Sequence, residues 1–355
     1  MQTIREATTA YEAALAAQMP LNAEDLRYKH ERMADAVDPF PFFRGTYYRW
    51  VQHWATASVD WAQAPRTVSV GDLHIENFGT WRDAEARLCW GVNDFDEAEE
   101  LPYTHDLIRL AGSARTAKIV ALAGMKPGAV CDAILDGYRL TIASGGDPFV
   151  LEEQHTALRT LAMAEERNPT KFWPKLTKLL TDAPANLPGE VRDLLVGSLP
   201  PDAKGIEFRN RPQVGMGSLG RPRYVALCQY RGGWIAREAK AAATLADGKP
   251  NSAADAVRNA VRSPDPHYRP GAKWVVRRLG PRYSRIELAQ LNRADLPVHF
   301  QAMGAETANV HLGTAGIAAA ILADLKGRPS DWLRDASKSM ATAIEADWDE
   351  WKRKR

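Results

Sequence analysis

Polar residues follow one another in an order that suits phosphate chemistry. In the segment GDLHIEN (residues 71–77) an Asp precedes an Asn by five residues, and NDFD (residues 93–96) follows after a short apolar run. Mg²⁺ prefers carboxylate and amide oxygens and usually shares phosphate oxygens, so Asn77 and Asp94 are predicted metal ligands. Asp72 could accept the proton of an attacking hydroxyl. The order therefore predicts a magnesium and phosphate site.

The alternative is that these residues serve turns. Asp and Asn are common in turns, and Asp94 or Asp96 could cap the acidic segment that follows. The ordered set favours a site over that alternative, because phosphoryl transfer needs a base together with metal ligands. His74 and Glu76 are interpreted as residues that orient the loop by hydrogen bonding, and Asp106 as a helix cap or loop brace.

A glycine-rich loop lies far downstream. Residues 215–220, GMGSLG, match the G-x-G-x-x-G pattern, and the run 223–230 that follows reads as a strand, whereas a dinucleotide-binding fold requires a helix there. The strand–loop–strand setting favours a kinase-type loop over nucleotide phosphates, with a tight hairpin as the alternative. The residues predicted to bind the phosphates are three glycines and a serine of this loop: Gly215, Gly217, Ser218 and Gly220.

A lysine and an arginine complete the predicted nucleotide contacts. Lys240 comes twenty residues after Gly220, at the end of a strand, where its ammonium could reach the α- and β-phosphates. Kinases hold this lysine with a Glu on the next helix, and Asp255 is the acid available there, since Glu238 is too near on the same strand. Arg44 could contact phosphate, because guanidinium forks suit phosphate oxygens, or it could pair with an acid.

These motifs resemble two protein families. GDLHIENFG followed by NDFDEAEELPYTHDLIRLA is similar to the catalytic and metal loops of the aminoglycoside phosphotransferase-like kinases, whose pattern is H-G-D-x-x-x-x-N and then I-D-x-x…D-L-A. Val70 stands where that pattern often has His. With FPFFRG, GMGSLG, REAKAA and AETANVHLG, the chain more closely resembles a bacterial family of unknown function, DUF 2252, between residue 40 and about residue 313.

The resemblance implies a bilobal protein-kinase-like fold of the α+β class, with a small antiparallel β lobe and a larger, mainly helical lobe. Asp72 would match the catalytic base, Asn77 and Asp94 the metal ligands, and Lys240 the nucleotide lysine. The glycine loop comes about 140 residues after the catalytic loop instead of before it. The fold would therefore be circularly permuted, which exposed and neighbouring termini allow. A helix over residues 297–312 would then stand where ordinary members have the helix that leads to the catalytic loop.

The elements that position these motifs follow from apolar spacing. Three- and four-residue spacing predicts helices, and short β-branched runs predict strands. The predicted helices are 4–19, 25–36, 47–61, 107–122, 129–143, 151–164, 252–262 and 297 to the end. The predicted strands are 67–70, 88–92, 223–230, 234–239, 274–279 and 283–288. The stretch 183–205 breaks the helical pattern with Pro and Gly.

These elements predict three segments. Residues 1–204 form a helical lobe with the catalytic and metal loops, and residues 205–290 form a β-rich nucleotide-binding lobe. Residues 291–355 are helices that return to the first lobe.

Composition limits the partners. The 355 residues contain 46 Lys and Arg against 44 Asp and Glu, so neither nucleic acid nor an anionic membrane is an expected partner. The three cysteines lack the spacing of a disulfide framework or zinc site. No leader or apolar run of about 18 residues is apparent, which predicts a cytoplasmic protein. The oligomeric state is left open.

Together the motifs predict an ATP- and Mg²⁺-dependent phosphotransferase with an unidentified small-molecule or protein acceptor. Adenylyl transfer would use the same residues. A nucleotide-binding pseudoenzyme with a regulatory role is the second class. A two-metal phosphoesterase is the least favoured, because His105, His155 and His267 do not form a ligand cluster.

Overall fold

Helices and short antiparallel strands make up the chain. A computed structural model describes residues 2–56, 59–152, 154–164, 168–183, 187–245, 248–283, 286 and 291–353. Within these ranges the protein belongs to the α+β class, as the sequence predicts.

The first helices of the chain come before residues 71–77, which we call the catalytic loop after the role predicted for them, and later helices cover the larger sheet or pack with the first ones. They are α1 (Ile4–Ala16), α2 (Ala23–Ala34), α3 (Phe40–Gly45), α4 (Tyr47–Trp54), α5 (Val59–Ala62), α6 (Tyr103–Thr116), α7 (Lys118–Leu122), α8 (Pro127–Ser144), α9 (Thr156–Ala164), α10 (Pro169–Leu179), α11 (Gly189–Gly197), α12 (Ala253–Asn259), α13 (Asp295–His311), α14 (Ile317–Gly327) and α15 (Trp332–Arg353).

The strands form two short pairs and one larger sheet. They are β1 (Arg66–Ser69), β2 (Phe78–Arg82), β3 (Leu88–Val92), β4 (Glu99–Pro102), β5 (Thr181–Asp182), β6 (Lys204–Asn210), β7 (Arg223–Tyr230), β8 (Gly233–Ala241), β9 (Arg269–Pro270) and β10 (Trp274–Leu279). The larger sheet has the order β5-β6-β7-β8-β10-β9, and all its pairs are antiparallel.

The main apolar core lies among the helices. Every residue of α6 except Arg115 is buried, because α8, α13 and α15 pack around it. The backbones of α8 and α13 approach each other most closely at Gly137 and Gly304, where a Cβ atom would overlap a carbonyl oxygen of the facing helix. This close crossing fixes α13 beside the catalytic loop.

The first and last helices pack together. Arg5 of α1 donates from Nη2 to the carbonyl oxygen of Trp351 in α15 at 2.7 Å, and its guanidinium lies 4.4 Å from the centroid of the Trp351 ring. The buried pair of Arg49 Nε and Asp347 Oδ2, 2.7 Å apart, joins α4 to the same helix. Residues near both ends of the chain therefore belong to one helical unit.

The hairpin predicted around residues 231–233 is confirmed. β7 pairs with β8 from Arg223 opposite Lys240 to Tyr230 opposite Gly233. The turn residues Arg231 and Gly232 both have positive φ, at 48° and 85°, as a two-residue turn of type I′ requires.

Five of the described strands, β2, β4, β5, β6 and β9, are absent from the predicted set. β2 lies inside the stretch predicted as a loop and pairs with β3, and β4 pairs with β1. The predicted strands 67–70 and 88–92 are present, each with a partner that the pattern missed. The predicted strand 283–288 falls mostly outside the described residues.

The predicted lobe boundary at residue 205 is too late. A helix, α11, occupies part of the stretch read as irregular, and its Val191 and Leu195 pack against Tyr224 on one face of the sheet. Phe172 of α10 packs with Val225 on the other face. The sheet needs apolar cover on both faces, so the segment from α10 onward belongs to it.

The lengths of the helices and the state of the cysteines complete the description of the fold. Across the described ranges, no helix combines the length and apolarity that a membrane crossing requires. Cys89, Cys131 and Cys228 are all buried, and none forms a disulfide.

The crossing of α8 and α13 gives the first prediction. Ala usually stabilises a helix relative to Gly, but Gly304→Ala should lower the free energy of unfolding by about 1–3 kcal/mol, because its Cβ would overlap the carbonyl oxygen of Ile134. Gly128→Ala in α8 is the control, since the nearest atom is 3.8 Å away. Urea unfolding measures both. A Gly304→Ala protein as stable as the control variant would contradict the close crossing.

Candidate functional site

The catalytic loop, residues 71–77, is held by side chains from one face of α6. The carboxylate of Asp106 accepts hydrogen bonds from the amide nitrogens of Val70 and Gly71 at 2.7 and 3.0 Å. Two turns later, Ser113 Oγ accepts from the amide nitrogen of Ile75 at 3.1 Å. Asp106 is therefore a loop brace, which is one of the two roles predicted for it.

A buried histidine supports Asp106 from behind. His311, the last residue of α13, places Nε2 at 3.1 Å from Asp106 Oδ2, and its Nδ1 lies 2.8 Å from the hydroxyl of Tyr138. Burial alone would raise the pKa of Asp106, but His105 and His311 hold it well below its usual range. The carboxylate is thus ionised when it accepts the loop amides. Through His311, α13 contacts Asp106, the side chain that braces the catalytic loop.

Arg109 fixes the carboxylate of Asp72. Its Nε and Nη2 donate to Asp72 Oδ1 at 3.1 and 2.6 Å, and Nη2 also donates to the carbonyl oxygen of Phe43 at 2.9 Å. The guanidinium is buried and lies 3.6 Å from the centroid of the Phe43 ring and 4.7 Å from that of Trp50. Burial raises the pKa of Asp72, and the positive charge of Arg109 opposes that rise.

The predicted base and both predicted metal ligands line one cavity. Asp72, Asn77 and Asp94 surround a space of about 60 Å³ together with residues 215–218 of the glycine loop. Asn77 is 6% exposed, and within the described residues its Oδ1 atom has no hydrogen-bond partner. Such an atom is available to a ligand, because a buried carbonyl oxygen normally has a partner.

Lys240 extends from β8 of the larger sheet to the carboxylates of Asp94 and Asp96. It is 3% exposed, and its Nζ lies 2.6 Å from Asp96 Oδ2 and 3.3 Å from Asp94 Oδ1. Burial would raise the pKa of Asp94, but Lys240 and Arg277 hold it far below its usual range. The carboxylate of Asp94 is therefore negatively charged at neutral pH.

The prediction that Asp255 pairs with Lys240 is wrong. Asp255 is about half exposed on α12 and pairs with Arg258 one turn along the same helix. The partners of Lys240 come from the NDFD segment instead, across the boundary between sheet and helices. A search confined to the next helix could not find them.

The glycine loop rests on the catalytic loop. It joins β6 to β7, and Gly215 and Gly220 have φ values of 78° and 93°, which favour glycine. A Cβ atom on Gly217 would lie 3.2 Å from the carbonyl oxygen of Arg44 and 3.5 Å from Asp72 Oδ2. The structure thus brings the two predicted motifs together. Ser218 Oγ accepts a hydrogen bond from Arg223 Nη2 at 2.7 Å.

Arg44 lies between the two loops. It forms an ion pair with Glu76, and its Nε is 3.3 Å from His74 Nε2. His74 Nδ1 in turn accepts from the amide nitrogen of Glu76 at 3.2 Å. These contacts match the loop-orienting roles predicted for His74 and Glu76. The contact of Arg44 with phosphate stays a prediction. Arg44 lines both the small cavity and a larger cleft next to it.

A larger cleft adjoins the small cavity. Its volume is about 560 Å³, within the range of small-molecule sites. Eight basic residues line it against three acidic ones, a bias that the balanced composition hid. The basic residues are Arg32, Arg44, Arg211, Arg223, Lys240, Arg262, Arg277 and Arg278, and the acidic ones are Glu76, Asp94 and Asp265.

Three arginines of this cleft meet one carboxylate, and we call them with Glu238 the arginine cluster. Glu238 is fully buried and accepts from Arg211 Nη1 at 2.6 Å, Arg223 Nη1 at 3.0 Å and Arg277 Nε at 2.7 Å. Burial would raise the pKa of Glu238, but the three guanidiniums hold it far below its usual range. The cluster carries a formal surplus of two positive charges.

The Arg109 pair gives the second prediction. Arg109→Met should lower the free energy of unfolding by about 3–5 kcal/mol, because it leaves the carboxylate of Asp72 buried without its cation. Arg115→Met, on the same helix, removes hydrogen bonds to Ser337 and Arg334 and should cost about 1 kcal/mol. Urea unfolding at neutral pH measures both. Equal losses of stability in the two variants would show that the buried pair of Arg109 and Asp72 contributes no more than the hydrogen bonds of Arg115.

Comparisons with known proteins bear on the part of the chain that contains the catalytic loop. Searches of curated proteins and of solved structures found no match. Residues 22–193 match the model of a family described as an uncharacterized protein conserved in bacteria, DUF2252. The matched segment includes the catalytic loop, the NDFD segment and α6. This match supports placing the chain in the DUF2252 family, as its motifs predict.

Proposed function

We propose that this protein is an ATP- and Mg²⁺-dependent transferase of the protein-kinase-like class, acting on a hydroxyl group of an unidentified acceptor. One observation carries the proposal. Asp72, Asn77 and Asp94 share a cavity with the glycine loop, and Lys240 contacts Asp94 beside it. A base, two metal ligands, a phosphate-covering loop and a lysine are the parts that phosphoryl transfer requires.

The order of elements in the sheet supports a kinase-like lobe. The glycine loop joins β6 to β7, and Lys240 lies on β8, the next strand. Protein kinases likewise carry a glycine-rich loop and place their nucleotide lysine on the third strand. The contact between α1 and α15 supports a circular permutation, since permutation needs the two ends in one lobe.

The donor set fits Mg²⁺. Asn77 Oδ1 is buried without a partner among the described residues, and Asp94 is ionised. Across the described ranges, no three His, Cys, Asp or Glu side chains group closely enough to hold a metal by themselves. Mg²⁺ in nucleotide sites is held by one or two side chains and by substrate phosphates. When bound, it would neutralise charge on the phosphate oxygens.

Asp72 is oriented for the role of base. Arg109 occupies its Oδ1 atom, which leaves Oδ2 directed at Gly217 and the cavity. An acceptor hydroxyl that hydrogen-bonds to Oδ2 can pass its proton there as its oxygen attacks phosphorus. The space of about 60 Å³ is small for an acceptor, so binding of one would require the glycine loop to move. The proposed setting is cytoplasmic.

Nucleotide binding gives the third prediction. Mg²⁺ and ATP at about a hundred times Kd should raise the melting temperature by about 4 °C, because only the folded chain binds them. Asp94→Ala should remove most of this shift, and ATP with EDTA should reproduce that loss in the wild type. Asp255→Ala is the control and should keep the full shift. Absence of any shift at millimolar ATP would refute the proposed site.

The base assignment gives the fourth prediction. Asp72→Asn should abolish ATP consumption while the Mg²⁺ and ATP shift in melting temperature stays within about 1 °C, because Asp72 acts on the acceptor. Labelled ATP and candidate acceptors measure consumption. Full activity of Asp72→Asn would exclude Asp72 as the base. A wild type that binds ATP but consumes none with any acceptor would favour the regulatory pseudoenzyme.

A further inference from the structure

The cleft face of the sheet is cationic one row beyond Lys240. Side chains two residues apart on a strand share a face, about 7 Å from each other. Lys240 stands opposite Arg223 and Val275, and Glu238 stands opposite Arg277 in the next row. Arg223, opposite Lys240, therefore connects the row of Lys240 to Glu238 and Arg277 in the next row.

This row conflicts with the usual kinase orientation of ATP. In that orientation the γ-phosphate lies at Asp72 and Lys240 holds the α- and β-phosphates. The uncharged nucleoside would then lie against the arginine cluster. The two surplus positive charges of the cluster, balanced in part by Asp94 near Arg277, would face an uncharged group, and Arg211 Nε, which is buried without a partner among the described residues, would stay unsatisfied.

The opposite orientation matches the charges. Guanidinium forks suit phosphate oxygens, so the cluster complements two further phosphates beyond Lys240. The nucleoside would then lie toward the catalytic loop, where the cleft has an aromatic and apolar wall. That wall includes Tyr28, Phe40, Met216 and Leu219. The centroid of the Phe40 ring is 5.9 Å from that of the His74 ring, which places this wall beside the catalytic loop.

We propose that ATP binds with its β- and γ-phosphates in the arginine cluster and its α-phosphate between Lys240 and Asp72, so that the group transferred is adenylyl. This rests on the proposed use of ATP and Mg²⁺. The acceptor oxygen forms a bond to the α-phosphorus, and the bond from that phosphorus to the bridging oxygen of the β-phosphate breaks. Pyrophosphate leaves with the electron pair, and the acceptor proton passes to Asp72. AMP-acceptor and pyrophosphate are the products.

The experiment compares two ligands on the wild type and on Arg277→Gln, which leaves Glu238 with two arginine partners. Calorimetry with Mg²⁺ should show ATP affinity about tenfold or more weaker in the variant and adenosine affinity changed less than twofold. Glu238→Gln removes the only carboxylate of the cluster and should tighten ATP instead. Arg258→Gln, an exposed arginine on α12, is the control and should change neither affinity.

The outcomes separate the two proposals. Equal weakening of ATP and adenosine by Arg277→Gln would overturn the reversed orientation and leave the proposed ATP site standing. ADP as the product of any ATP consumption would also overturn the reversed orientation, whereas release of pyrophosphate together with AMP or an AMP–acceptor adduct supports the inference. A wild type that binds no ATP would refute the proposed function itself. Glu238→Gln decides the orientation if Arg277→Gln does not fold.

Discussion

The geometry of the candidate site depends on one buried carboxylate. Asp106 accepts the amides of Val70 and Gly71, and without it two backbone donors would be buried with no partner, at a cost of about 1–3 kcal/mol each. Because Gly71 has a φ of 79° and a Cβ there would overlap the carbonyl oxygen of Glu97, the chain at this point tolerates no other residue. Asp72 follows Gly71 directly, so the hydrogen bonds that Asp106 accepts position the backbone of Asp72. Arg109 then fixes its carboxylate.

The loops after β1 and β3 supply the candidate site with the carboxylates of Asp72, Asp94 and Asp96, and the larger sheet supplies Lys240 and the arginine cluster. The contacts of Lys240 with Asp94 and Asp96 join these two parts of the chain and bring their separated charges together. A formal net charge of +2 for the whole chain conceals this separation, since composition averages over distance.

Local motifs were enough to find the residues of the small cavity, because Asp72, Asn77 and Asp94 lie close in sequence and each type has a definite chemistry. The hairpin was predictable from its turn, and Lys240 from its spacing. Partners across the fold were not predictable. The arginines on Glu238 are 27, 15 and 39 residues away from it, and periodicity carries no signal for such pairs. Helix α11 was missed because Pro and Gly around it outweighed nine residues of apolar spacing.

The brace on the catalytic loop has a consequence for biosynthesis. Asp106 and its support His311 are 205 residues apart, and the amide of Val68 donates to Thr314, 246 residues later. A ribosome adding about 5–20 residues per second needs roughly 10–40 s to make the intervening 205 residues. During that time α6 lacks α13 and α15, two of the three helices that pack around it in the folded chain. The support of Asp106 by His311 can therefore form only after α13 has been made.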